Sequence, residues 1–136
     1  MTFTHHMNEC ASQLTNAIEG GIDYWAEGRN FKRVPKGEEL SGFYNGCDIK
    51  PKDTGEGDPY PEGDPRNGWQ TLTLDRVAEA IELILACDMI VDKRLVDTGI
   101  AQDIRANWAD PEECRGDAET ADCIIQVACF GEVVFG

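Results

Sequence analysis

Between positions 51 and 68 the chain reads Pro-Lys-Asp-Thr-Gly-Glu-Gly-Asp-Pro-Tyr-Pro-Glu-Gly-Asp-Pro-Arg-Asn-Gly, four prolines and four glycines with almost nothing to bury. No helix interior or central strand tolerates that composition, because proline lacks a backbone donor and glycine loses the most conformational freedom on ordering. Residues 51–68 are therefore expected to form one exposed loop. Loops beyond about 12–15 residues are usually functional or mobile. The rest must build the core from two flanking parts, and 136 residues with 41% hydrophobic content suit a single domain, residues 1–136.

Before the loop, Cys10, Leu14, Ala17 and Ile18 recur at helical spacing and predict a helix over 7–19, stopped by Gly20-Gly21. Residues 22–26 and 31–34 read as paired strands with 27–30 as their turn, since glycine and asparagine accept hairpin dihedrals. A further strand is expected over 39–44. After the loop, 69–73 alternates as a strand, and Leu74, Val77, Ala78, Ile81, Ile84 and Leu85 form one apolar stripe of a helix over 74–87. Two more helices are expected, over 93–108 and 117–130, with Gly131 as a stop and 132–135 as an apolar tail with strand character. The predicted class is α+β: a small antiparallel sheet packed against three to four helices, with the helix over 74–87 and the last one at the core.

Charge is unevenly divided along the chain. The net charge is −14, and residues 75–122 alone carry thirteen acids against five bases. Such a field repels phosphate backbones at long range, so duplex nucleic acid is not an expected partner. No apolar run approaches the roughly 20 residues of a bilayer span, and the first residues lack signal-peptide regions, so a membrane-free, cytoplasmic protein is expected. The six cysteines show no paired metal-type spacing; Cys10, Cys87, Cys123 and Cys129 fall on apolar helix faces, Cys47 and Cys114 in loops, and reduced thiols are expected.

Neither catalysis nor a cofactor or metal is expected. His5 and His6 sit at a terminus expected to fray, and a general base must be held in place. The loop carboxylates Asp53, Glu56, Asp58, Glu62 and Asp64 do not match a calcium-loop spacing. Two candidate surfaces remain. Asp110, Glu112, Glu113, Asp117, Glu119 and Asp122 crowd one loop and helix start, where acids also serve the helix dipole. Arg29, Lys32, Arg33 and Lys36 form the one basic cluster, interleaved with Phe31 and preceded by Tyr24 and Trp25. Guanidinium groups hold phosphate and aromatic faces stack on bases, so this composition suits a small nucleotide; the plainer alternative is a solvated hairpin paired with acids.

Three segments carry a resemblance: Ala17-Ile18-Glu19-Gly20-Gly21-Ile22-Asp23-Tyr24-Trp25; Leu72-Thr73-Leu74-Asp75-Arg76-Val77; and Asp117-Ala118-Glu119-Thr120-Ala121-Asp122, running through Gln126 to Phe130-Gly131-Glu132-Val133-Val134-Phe135-Gly136. Together they resemble a group of small, largely uncharacterised accessory proteins of tailed bacteriophages. The resemblance does not cover the proline-rich loop and brings no catalytic residue. It implies a non-enzymatic protein of the host bacterial cytoplasm that antagonises antiviral defence by binding. The expected partner is a host defence protein, bound through the acidic face as a nucleic-acid mimic. The alternative is a small nucleotide immune signal, sequestered by the hairpin over 24–36 in a homodimer or higher oligomer. A metal-dependent enzyme is the third reading.

Overall fold

The computed structural model describes residues 5–52, 57–86, 99–110, 113 and 115–135. Among these residues it shows a three-stranded antiparallel sheet with four helices, an α+β domain. The helices are α1 (His5–Asn16), continued by a π-helical turn (Ala17–Gly21), α2 (Leu74–Ala86), α3 (Ile100–Ala109) and α4 (Ala118–Phe130). The strands are β1 (Ala26–Arg33), β2 (Tyr44–Pro51) and β3 (Gln70–Thr73), in the order β1-β2-β3. Cys47 stands opposite Leu72, and both are buried. Helices α1, α2 and α4 pack around this side of the sheet, with Leu14, Val77, Ile81, Ile124 and Ile125 at the centre of the core.

The second half follows its apolar periodicity closely. Helix α2 buries Leu74, Val77, Ala80, Ile81 and Ile84. Asp117 caps α4 by accepting from the Glu119 amide at 2.9 Å, and Gly131 ends it in the left-handed region at φ 74°. Helix α3 begins at Ile100, with Gly99 as its cap; the expected start near 93 lies outside the described residues.

The first half departs from expectation. Residues 27–30 are not a turn: β1 runs unbroken through them and pairs with β2, while the chain reverses over 34–43. Of the expected strand over 39–44, residues 39–43 belong to that connection, with Gly37, Leu40 and Gly42 at positive φ, and Tyr44 begins β2. Residues 23–25, expected in a strand, form a turn. Asn30 at φ 55° makes a bulge instead of a hairpin tip, shifting the register between Arg29 and Lys32. Every residue of β1 after Ala26 is exposed, so no apolar alternation marked it as a strand. The tail over 133–135 is irregular.

The loop is more tied down than its composition suggests. Pro51 is the last, buried residue of β2. Asn67 accepts from the Tyr60 amide and donates to the Tyr60 and Pro61 carbonyls, and Asp64 caps a short 3-10 turn (Pro65–Asn67). Tyr60 packs on Phe130 under the Arg66 guanidinium, which lies 3.6 Å from the ring centroid. Residues 53–56 are outside the description.

Candidate functional site

Two polar constellations stand out, one inside the core and one on the sheet. The inner one joins the two ends of the chain. Asp122 is 1% exposed, and its carboxyl group accepts from the Tyr24 hydroxyl (2.6 Å), the Trp25 indole (2.7 Å) and the Gln126 amide (2.9 Å). Gln126, fully buried, also accepts from the Val134 and Phe135 amides and donates to the Phe135 carbonyl. Phe135 then stacks on Trp25 with ring centroids 5.1 Å apart. Gly21 permits this approach: a Cβ there would lie 2.6 Å from the Ala118 carbonyl oxygen. Neither Gly20 nor Gly21 is left-handed, so the expected stop by that conformation gives way to close packing on α4.

These contacts correct two site assignments. Trp25 is 1% exposed and committed to Asp122 and Phe135, so it presents no stacking face. Asp122 belongs to the core and not to an acidic surface, because α4 turns it towards the buried indole. Tyr24 is half-exposed, with its hydroxyl held by Asp122.

The second constellation lies on the solvent-facing side of the sheet. Asp48 on β2 stands opposite Arg29 on β1 and Thr71 on β3. It accepts from Asn30 (2.8 Å) and Thr71 (2.9 Å) and pairs with Arg29 at 3.5 Å. Hydrogen bonds from Asn30 and Thr71, with help from Arg29, lower the Asp48 pKa below the usual carboxylate range. Arg29, held there, places its guanidinium 3.9 Å from the centroid of Trp69, and the Lys50 ammonium lies 5.2 Å from the same ring. Lys50 also pairs with Glu27 at 3.2 Å.

Beside this platform is a concavity of about 580 Å³, lined by Asn30, Lys32, Gly46, Asp48, Thr71 and Thr73 among others. Gly46 stands opposite both Lys32 and Thr73, and its missing side chain keeps the centre of the sheet shallow: a Cβ there would lie 3.2 Å from the Leu72 carbonyl oxygen. Pockets of about 300–1,000 Å³ accommodate small-molecule ligands. Asn45 also lines the concavity, and its side-chain oxygen is buried without a hydrogen-bond partner.

The basic cluster is thus partly assembled. Among the described residues no carboxylate lies within ion-pairing distance of Lys32, Arg33 or Lys36. Arg33 instead donates to the Gly42 carbonyl and the Tyr44 hydroxyl, 4.2 Å from the Tyr44 centroid. Phe31 is half-exposed and packs over Gly28 and against Tyr44, away from the concavity. The aromatic partner of the cations is Trp69, which sequence reasoning assigned only to a strand; its signal was the alternation of 69–73 directly after the loop. Lys50 and Asp48 were missed as well.

The acidic set is dispersed over several roles. Glu113 pairs with Arg115 at 2.7 Å, Asp117 caps α4, and Asp110 and Glu119 are exposed. Glu112 lies outside the described residues. His6, expected to fray, stacks on Trp108 with centroids 3.7 Å apart. Cys10, Cys47, Cys123 and Cys129 are buried free thiols, and Cys47 sits in β2, not in a loop; Cys87 and Cys114 lie outside the described residues. Burial raises Cys10 and Cys129 to about 12 and Cys47 to about 11, so these three stay protonated and unreactive at neutral pH. Among the described residues no three His, Cys, Asp or Glu side chains converge for a metal, and no helix is long and apolar enough to cross a membrane.

The architecture defined here is an α+β domain whose sheet keeps one cationic, aromatic side turned to solvent. Comparison with protein-family models, curated proteins and solved structures finds no match.

Proposed function

We propose that the solvent-facing side of the sheet binds a small phosphate-bearing molecule of the nucleotide class, and that the protein acts by holding this ligand. In the setting implied by the resemblance to tailed-phage accessory proteins, the ligand is a nucleotide signal of host antiviral defence, withdrawn in the host cytoplasm. One observation carries the reading. On a chain of net charge −14, Lys32 without an acid partner lines a ligand-sized concavity beside Arg29 stacked on Trp69. A cation and an indole–guanidinium surface offer a phosphate contact and a base platform within one site. The surrounding negative field disfavours a long polyanion and leaves a small one as the better guest.

The acidic-mimic reading, in which a host defence protein is the partner, keeps a narrower basis. Asp110, Glu113, Asp117 and Glu119 remain exposed, but Asp122 is internal, Glu113 pairs with Arg115 and Asp117 caps α4. A thermal-shift screen of nucleoside mono-, di- and triphosphates and cyclic dinucleotides tests the nucleotide reading. A ligand at about 100 times its Kd should add about 2.7 kcal/mol of stability. That gain should disappear in Lys32→Glu. Absence of any nucleotide-dependent shift, or an undiminished shift in Lys32→Glu, would overturn it.

A further inference from the structure

We propose that the free edge of β1, with the apolar groove beside it, docks an extended acidic segment of a partner protein that inserts one aliphatic side chain. This surface is separate from the concavity and does not rest on the nucleotide reading. β1 is an edge strand, and among the described residues nothing pairs with its outer side. Its pairing is regular from Ala26 to Arg29, before the bulge at Asn30, which leaves one straight stretch of backbone to which a strand can be added. Next to that stretch, Ile18, Ile22, Ala26, Gly28, Phe31 and Ile49 line a groove of about 170 Å³. The volume suits a single leucine or isoleucine side chain. Phe31, 49% exposed, forms its outer wall, and apolar area left open in this way is an anchor point and not part of the core.

Charge selects the occupant. Phe31 leads to Tyr44, whose ring carries the Arg33 guanidinium at 4.2 Å, and Lys36 follows. Arg33 and Lys36 have no carboxylate partner among the described residues. A second copy pairing β1 to β1 would bring together two strands that each carry three cations, Arg29, Lys32 and Arg33, against the single acid Glu27, itself paired with Lys50, which disfavours it. An acidic segment would meet Arg33 and Lys36 past the bulge: at roughly 3.3 Å per residue, carboxylates a few positions beyond the aliphatic anchor reach Arg33. Asp23 lines the groove and repels an acidic segment there, so the carboxylates point towards the Arg33 end.

The test uses the whole protein and a short synthetic peptide with one leucine followed by alternating aspartates, read by fluorescence anisotropy. Saturable binding is expected, weakened at least about tenfold by Arg33→Glu and abolished by Phe31→Asp; both residues are exposed enough for the fold to persist, which circular dichroism checks. N-methylation of the peptide backbone should abolish binding by removing its strand hydrogen bonds. Failure to bind, equal binding of a leucine-free peptide, or equal binding of the N-methylated peptide would each overturn the proposal. So would a concentration-dependent dimer, seen by sedimentation, that Phe31→Asp dissolves, because the occupant would then be a second copy.

Discussion

The Asp122 cluster and the sheet surface around Asp48 use the same chemistry, a carboxyl group gathering three donors, but in opposite surroundings. Around Asp122 the donors are two aromatic side chains and a fully buried glutamine, and the result fastens the first turn of the protein to its last residues. Around Asp48 the donors are Asn30, Thr71 and Arg29, all at the solvent boundary, and the result aims a guanidinium at an indole. Buried polar groups must be satisfied within the fold, and once satisfied they have no capacity left for a ligand. Exposed ones that leave neighbours such as Lys32 without an acid keep that capacity.

The comparison can be broken by substitution. The largest effect is expected from Asp122→Ala, which strips the acceptor from the buried Trp25 indole and one of several from the Gln126 amide, while half-exposed Tyr24 recovers water. Leaving buried donors unpaired should cost about 2–5 kcal/mol, read as a lower urea midpoint. Next is Gly21→Ala: the added methyl meets the Ala118 carbonyl oxygen, and overpacking of this kind should cost about 1–3 kcal/mol in the same assay. Lys32→Ala should leave stability within about 0.5 kcal/mol while lowering nucleotide affinity at least about tenfold by titration calorimetry.

The smallest effect sharpens the comparison through pH. The pKa of Asp48 is depressed by its donors, and Asp64 is held at about 2 by the Arg66 guanidinium and amide. A carboxylate with a depressed folded pKa contributes stability that is complete above its unfolded value, about 4, and lost as pH falls through the folded value. Asp48→Asn should therefore lower stability slightly and evenly above about pH 4 and flatten the acid limb below it, variant and parent converging as pH falls through the folded Asp48 pKa.

Much of the fold was legible where burial imposed a period. The stripe of α2 and the glycine stop of α4 appear in the structure as read, since Leu74, Val77, Ile81 and Ile84 could only face a core. The hairpin was not legible, because β1 is exposed on both sides and its glycine and asparagine mimic a turn. The site was half visible. Arg29 and Lys32 were read from their clustering, but Trp69 directly precedes the third strand, and its place beside Arg29 depends on sheet order, which no local pattern encodes. Trp25 misled for the converse reason: the basic cluster begins four residues after it in sequence, at Arg29, while its neighbours in space are Asp122 and Phe135. The first and last of the segments that carry the resemblance meet around that indole.

Amide and indole chemical shifts on titration with a nucleoside diphosphate test the central claim most directly. The account expects saturable changes at Lys32, Gly46, Asp48, Thr71 and the Trp69 indole, with the Trp25 indole unmoved. Changes centred on Trp25 and α4, or none at all, would contradict it.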